Sequence, residues 1–380
     1  MKKFLVNDRA ARVLVRRHGS PLYVYDAKTI RARCRELKKA FPFMRLYYAC
    51  KANTNPEIVR LIAKMGFDIE TTSPGEIAVA RKAGVSVSRI SYTCAAANEK
   101  ELISIVQQGV GVHLDSLSQV EAIGRRFPGR DISVRLAHGV GVGHHAHVVT
   151  GGPESKFGIH VTHIPQLKKL ALKYDLRITG LHQHIGSGGI FKPSVLLEAV
   201  DSLLEIATQF PHLEHVDFGG GFGIPYSPAE KRLPINELGR KMRARAKKFT
   251  REYGRVVEMS FEPGRYLVAE GGILLVSVTD IKRNPRKTFV DVDSGMGHLV
   301  RPIMYDSYHE IENVTHPRHR KERVTVAGLY CESGDVLAKN RLLPMPELGD
   351  ILAIKNAGAY GYVMSSEYNL RPKPKEIVLH

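Results

Sequence analysis

Four short stretches of this chain carry residue types whose chemistry converges. In Tyr48-Ala49-Cys50-Lys51-Ala52-Asn53 a lysine directly follows an apolar run, and an amine there can form a Schiff base with an aldehyde cofactor. His182-Gln183-His184-Ile185-Gly186-Ser187 offers, in His184, an imidazole able to lie flat against an aromatic ring. Gly219-Gly220-Gly221-Phe222-Gly223 is a glycine run, and backbone N–H groups without side chains approach an anion such as phosphate closely. Glu262-Pro263-Gly264-Arg265 joins a carboxylate to a guanidinium. A carboxylate against a pyridine nitrogen keeps that nitrogen protonated, so the ring withdraws electrons strongly. Taken singly, each stretch has an ordinary explanation: a surface lysine, a hydrogen-bonded histidine, a turn, a solvated loop carboxylate. Position along the chain decides between the readings.

The elements that must position these residues alternate. Strand-like runs fall at Leu46–Ala49, Phe67–Thr71, Ile90–Thr93, Val112–Asp115, Ile132–Leu136, Ile178–His184, His215–Phe218 and Val256–Phe261. Amphipathic helical stretches lie between most of them, with start signals such as Asn55-Pro56-Glu57 and the capping box Ser73-Pro74-Gly75-Glu76. Eight such units imply a parallel sheet closed into a (β/α)8 barrel, an α/β architecture. In that fold the site lies where strands end, and phosphate sits in the loops after strands seven and eight. Lys51 follows strand one, His184 ends strand six, the glycine run follows strand seven and Arg265 follows strand eight. After Arg265 the rhythm changes to strand-like runs broken by Gly and Pro, at Leu274–Ile281, Thr288–Asp293, Arg323–Cys331, Ile351–Ile354 and Glu376–Leu379. These imply a separate C-terminal β domain of sandwich or β-barrel-like form. The expected division is a segment 1–25 packing on the β domain, a barrel over 26–267 and the β domain over 268–380.

Composition is that of a globular protein. The 380 residues are 43% hydrophobic with 34 glycines and 20 prolines, enough apolar material for a sizeable core. No stretch approaches the roughly 20 apolar residues of a membrane helix, and the opening Met-Lys-Lys-Phe-Leu-Val-Asn-Asp turns polar too soon for a signal peptide. Cys34, Cys50, Cys94 and Cys331 lack paired metal-type spacing, which suits reduced thiols in a cytoplasmic compartment. The formal charge is +18, densest from Arg240 to Arg255 and around Arg318, Arg320 and Arg323. No nucleic-acid motif or aromatic-plus-basic platform accompanies it, so a basic solvated surface is expected rather than a nucleic-acid partner.

Together these residues resemble the alanine-racemase-like, fold type III pyridoxal-phosphate (PLP) decarboxylases of the ornithine, diaminopimelate and arginine group. The resemblance runs nearly the whole length. It takes in Pro21-Leu22-Tyr23-Val24-Tyr25-Asp26, Lys51-Ala52-Asn53, Ser155-Lys156-Phe157-Gly158-Ile159, His184-Ile185-Gly186-Ser187 and Gly219–Tyr226. It continues through Glu262-Pro263-Gly264-Arg265, Arg301-Pro302, Tyr305, Cys331-Glu332-Ser333-Gly334-Asp335 and Gly358-Ala359-Tyr360. Cys331-Glu332, Arg301 followed by Tyr305, and the closing stretch Ser365–Pro374 resemble the diaminopimelate branch rather than the ornithine one.

The resemblance implies PLP carried on Lys51, with His184, Ser187, Gly219, Gly220, Gly221, Glu262, Gly264, Arg265 and Tyr360 around it. It implies decarboxylation of meso-2,6-diaminopimelate to L-lysine, with Arg265, Arg301, Tyr305, Glu332 and Tyr360 on the substrate. A planar guanidinium suits a second carboxylate, and Glu332 would meet the distal ammonium. Cys331 would return a proton to Cα, reaching the site from a partner subunit in a homodimer with shared sites. D-lysine, D-ornithine or a siderophore precursor are the alternative substrates, and a non-catalytic PLP-binding protein the alternative class. The chain departs from its relatives at Gly297-His298, at Thr93-Cys94-Ala95-Ala96-Ala97 and at Gly188-Gly189. His144, His145 and His147 invite a metal reading, but no acidic or cysteine co-ligand adjoins them. The family implies instead a loop closing over the site, and no metal is expected.

Overall fold

The computed structural model describes residues 6–139, 155–187 and 190–380; the His144, His145 and His147 loop and Gly188-Gly189 lie outside the described residues. Two compact units emerge. One comprises Cys34–Gly223 and Arg232–Gly264; the other comprises Met1–Arg33, Ile224–Lys231 and Arg265–His380. The chain runs α1 (Asp8–His18), β1 (Leu22–Asp26), α2 (Ala27–Ala40), β2 (Arg45–Ala49), α3 (Pro56–Lys64), β3 (Asp68–Thr71), α4 (Pro74–Lys82), β4 (Ile90–Thr93) and α5 (Glu99–Gln107). Then come β5 (Gly111–Leu114), α6 (Leu117–Arg126), β6 (Asp131–Ala137), β7 (Ile159–His160), α7 (Ile164–Lys173), β8 (Arg177–His182), α8 (Pro193–Ala207), β9 (His215–Asp217), α9 (Ile235–Tyr253) and β10 (Glu258–Phe261).

In the first unit β2, β3, β4, β5, β6, β8, β9 and β10 pair in that order, all parallel, and β10 returns to pair with β2. This is the closed eight-stranded barrel that the alternation implies. Local chemistry sets the helices. Asn55 accepts from the Glu57 N–H at 3.0 Å ahead of Pro56, and Ser73 Oγ accepts from the Glu76 N–H at 3.2 Å. Glu76 reaches back to the Thr72 N–H at 2.8 Å, one residue before the cap, so the capping box closes one position early.

Strands buried on both faces usually read as continuous apolar runs. These do not. Glu70, Ser91, His113, Ser133, Arg135, His182, Asp217 and Ser260 are all buried, and between them stand buried Ile69, Tyr92, Leu114, Val134, Leu181, Val216 and Met259. The polar set contacts itself across the barrel. His113 Nδ1 meets Ser133 Oγ at 2.6 Å, and the His113 and His182 rings stack with centroids 4.7 Å apart. A Cβ at Gly180 would collide with the His215 ring and Ser133 Oγ, so this position of β8 requires glycine. Burying so many polar groups costs stability unless they are hydrogen-bonded, and such a layer at the mouth of a barrel marks a site.

The second unit holds α10 (Arg265–Val268), β11 (Gly272–Asn284), β12 (Lys287–Val292), α11 (Arg301–Met304), β13 (Ile311–Asn313), β14 (Lys321–Ala327), β15 (Val336–Pro344), β16 (Ile351–Ile354) and β17 (Lys375–Leu379). Its mixed sheet runs β13-β16-β11-β12-β14-β15, with β1 joining antiparallel to β11 and parallel to β17. The first half of β11 pairs with β16 and its second half with β12. Leu22, Val24, Ile273, Leu275, Val314, Ile351 and Ala353 form an apolar core. The sequence pattern misses β13, which is three residues long, and β15, whose Lys339-Asn340-Arg341 centre breaks apolar alternation. It also carries Arg323–Cys331 as one strand, whereas β14 ends at Ala327. Gly328 N–H donates to the Asp335 carbonyl at 2.8 Å and Asp335 Oδ2 accepts from the Tyr330 N–H at 2.8 Å, turning Cys331 and Glu332 outward. Among the described residues no helix is long and apolar enough to cross a membrane.

Candidate active site

Lys51 lies in a single helical turn, Cys50–Ala52, directly after β2. Register pairs Ala49 with Glu70 on β3, and the Lys51 ammonium meets Glu70 Oε2 at 2.6 Å. Glu70 is 1% exposed and Lys51 33%, so the amine stands at the barrel mouth on a buried carboxylate. Sequence reasoning misses Glu70. The signal for it is a second carboxylate in a short strand, Asp68–Thr71, whose residues are all buried.

Gly264 brings the loop after β10 against this turn: a Cβ there would press on Ala52 Cβ at 3.0 Å and Ala49 Cβ at 3.1 Å. Glu262, two residues earlier, is buried with Oε2 3.2 Å from His182 Nε2. Its Oε1 is buried without a hydrogen-bond partner among the described residues. Burial, then repulsion from Glu70, pushes the Glu262 carboxyl up to about 8, against the pull of Lys51 and Arg135. Burial and Glu262 likewise raise Asp217 well above the ordinary carboxylate range, and burial holds His113 and His182 far below that of histidine. His113, Asp217 and Glu262 bring ligand-type atoms within 4.8 Å of one another, and burial favours the uncharged form of each.

The glycine run behaves differently from a cradle of three free N–H groups. Gly219 N–H donates to Asp217 Oδ1 at 2.7 Å and Gly220 N–H to His184 Nδ1 at 3.0 Å. Among the described residues only Gly221, in the left-handed region at φ +96°, keeps an uncommitted N–H of the three. Glycine is required for approach instead. A Cβ at Gly220 would strike the Glu262 carbonyl oxygen, and one at Gly221 would lie 2.5 Å from the Gly186 oxygen. The loops after β8, β9 and β10 are thus locked together, and the Gly220 bond fixes the His184 ring. Burial, then Lys51, keeps that ring neutral. Ser187 ends the same loop. Deeper in the barrel, Arg135 pairs with Asp115 at 3.2 Å and lies 4.7 Å over the Phe157 ring. Asp115 Oδ2 also accepts from the Gly158 N–H at 2.8 Å, anchoring the Phe157-Gly158 loop.

In the β unit a second set gathers around Tyr226. Arg265 Nη1 donates to Tyr226 Oη at 2.9 Å and its guanidinium lies 4.7 Å over the Tyr360 ring. Arg301 lies 4.4 Å over the Tyr226 ring. Arg301 is 1% exposed and among the described residues makes no ion pair. Its Nη1 faces His309 Nε2 at 2.9 Å and its Nη2 donates to Ser307 Oγ at 3.2 Å. His309 Nδ1 bonds the Lys355 carbonyl at 2.7 Å, which puts the ring proton on Nδ1 and leaves Nε2 to accept from Arg301. Burial, then Arg301, lowers His309 to about 3, so it stays neutral. Burial brings Arg301 down to about 10, still charged at neutral pH. Tyr305 closes α11 and is an electrostatic neighbour of both arginines. His298 fits the departure at Gly297-His298: its Nδ1 meets Ser294 Oγ and its Nε2 the Pro372 carbonyl, each at 3.2 Å. Cys331 and Glu332 stand exposed in their turn beside Tyr368 and Asn369.

A closed parallel barrel with a mouth lysine, a buried carboxylate with one unfilled oxygen among the described residues and interlocked glycine loops defines a pyridoxal-type site. The family model for the pyridoxal-dependent decarboxylase, pyridoxal binding domain, matches residues 27–269, and the chain belongs to this family. Its cofactor is pyridoxal phosphate. The diaminopimelate decarboxylase of Methanothermobacter thermautotrophicus is 41% identical over 99% of this chain and 90% of its own. That of Escherichia coli K12 is 33% identical over 95% and 89%. A crystal structure of diaminopimelate decarboxylase from M. jannaschii in complex with L-lysine aligns with a TM-score of 0.89 at 29% identity, covering 99% of this chain and 91% of that one. The residues present fit the cofactor. Lys51 offers the amine, Glu262 Oε1 an unfilled acceptor for a ring N–H, and Gly221 an N–H for a phosphate oxygen.

Glu262→Gln keeps the shape and removes the acidity. Turnover is expected to fall on the order of 10²-fold, the scale of losing one aligned electrostatic group, with the protein still folded by circular dichroism. Undiminished kcat in that variant would remove Glu262 from the ring-nitrogen role.

Proposed function

We propose that this chain removes one carboxylate from meso-2,6-diaminopimelate, giving L-lysine and CO2, as a cytoplasmic homodimer with shared sites. The observation that carries the substrate is Arg301: a guanidinium almost fully buried with no carboxylate partner among the described residues. Burying an uncompensated charge is costly, and a ligand carboxylate offsets that cost. Arg265 and Tyr305 and Tyr360 complete an anionic subsite suited to the second carboxylate of a diamino dicarboxylic acid.

When bound, pyridoxal phosphate supplies the electron sink that lets the Cα–carboxylate bond break. The protein's part is positional. Lys51, seated on Glu70 directly after β2, would hold the cofactor through its amine, beside which the substrate amine would bind. Glu262 would accept the ring N–H, a cation that draws its burial-raised carboxyl back to the charged form, and His184, fixed by Gly220, would cover the ring. Gly221, with Ser187, Gly264 and Arg265 beside the same loops in sequence, serves the phosphate. Cys331 returns a proton to Cα, and Glu332 meets the distal ammonium, both contributed across the dimer.

Arg301→Lys keeps the charge but loses the planar fork. It is expected to raise KM for meso-diaminopimelate roughly 10- to 100-fold, the scale of a charged hydrogen bond, with a smaller change in kcat. For D-lysine, which lacks the second carboxylate, the same variant should change KM little. Equal effects on both substrates would refute the carboxylate assignment and favour the monocarboxylate alternatives.

A further inference from the structure

Among the four cysteines only Cys331 is exposed, and its side chain sits in a small polar network. Asn369 Nδ2 donates to Cys331 Sγ at 3.2 Å, and Asn369 Oδ1 accepts from the Cys331 N–H at 3.3 Å. Tyr368 Oη lies 3.6 Å from the same sulfur and donates to Glu332 Oε1 at 2.9 Å. The Tyr368 ring is steadied by stacking on Tyr330 with centroids 5.7 Å apart. Asn369 and Leu370 both adopt left-handed backbone at φ +54°, a conformation uncommon for such residues that concentrates where function requires it.

We propose that Tyr368 is a positioning residue that couples Glu332 to Cys331, with Asn369 holding the sulfur within its reach. The inference rests on the roles given above to Cys331 and Glu332. A phenol has one hydrogen to donate. While Glu332 is an unpaired carboxylate, the hydroxyl hydrogen goes to it. Once an ammonium occupies Glu332, the hydroxyl can turn to the sulfur. There it stabilises the thiolate left when Cys331 S–H gives its proton to Cα. The phenol keeps its own hydrogen throughout and changes only its acceptor; the thiol is restored from solvent. Charge relations agree. Hydrogen bonds from Tyr368, then Asn369, lower the Cys331 thiol, while Glu332 raises it. Hydrogen bonding with Cys331, then Glu332, raises Tyr368, which keeps it a donor across the neutral range.

The test is the pH dependence of Cys331 alkylation by iodoacetamide in the holoenzyme, read on its own peptide by mass spectrometry, since only the thiolate reacts. Wild type, Tyr368→Phe, Glu332→Gln and the double variant form a cycle. Tyr368→Phe is expected to slow alkylation at neutral pH severalfold. Glu332→Gln should accelerate it in wild type and do so much less in the Tyr368→Phe background. An unshifted profile in Tyr368→Phe, or an equal Glu332→Gln effect in both backgrounds, would overturn the coupling. A Cys331→Ala variant with full turnover would instead overturn the proton-donor role while leaving the alkylation cycle as it stands, so the two failures separate.

Discussion

Lys51→Ala is expected to abolish productive turnover, with kcat lower by about 10³-fold or more, within the range for a group that both positions and moves protons at the reacting centre. Two features make the effect large. The amine stands on Glu70 at 2.6 Å at the end of β2, and no other lysine among the described residues ends a barrel strand. The cofactor should also be lost from the variant on gel filtration. In wild type, borohydride should fix a pyridoxyl group to the Lys51 peptide and discharge the visible absorption. A colourless Lys51→Ala protein that keeps wild-type activity would contradict the role assigned to this residue. The substitution removes an ammonium and leaves Glu70 buried without it. Thermal unfolding should therefore be compared alongside, because an unpaired buried carboxylate costs stability in its own right.

Cys331→Ala is expected to lower kcat by roughly 10²- to 10⁴-fold, the contribution of a well-placed proton donor, while cofactor absorption stays intact. The two variants together test sharing between subunits. In a mixed dimer of Lys51→Ala and Cys331→Ala chains, one site carries both substitutions and the other carries neither. Random mixing should therefore restore about a quarter of the wild-type sites if the interface is symmetric. If each site were built from one chain, every site would be defective and nothing would be restored. A verified mixed dimer without activity would argue against sharing.

The barrel was legible because its signals are local. Caps at Asn55 and Ser73 and the eight apolar runs lie within a few residues of the elements they define. The motif residues were legible for the same reason, since each directly follows a strand. Partners were not legible, because they depend on register between strands far apart in sequence. Glu70 becomes the Lys51 partner only once Ala49 is paired with it, and Arg135 reaches Asp115 across twenty residues of chain. His309 supports Arg301 through a tautomer fixed by Lys355, forty-six residues further on. In the sequence alone the glycine run implies a cradle of N–H donors. Asp217 and His184 take two of them, and the absent side chains serve chiefly to let three loops touch. In the β unit, β15 was hidden because its polar centre breaks the alternation that identifies a strand.

The most direct test of the central claim is stoichiometric. Purified holoenzyme is supplied with meso-2,6-diaminopimelate, D-lysine or L-ornithine, and released CO2 is measured together with the amine product. One CO2 and one L-lysine are expected per meso-2,6-diaminopimelate consumed, with little release from the two monocarboxylates. Release from D-lysine or L-ornithine, with meso-2,6-diaminopimelate left intact, would contradict that claim.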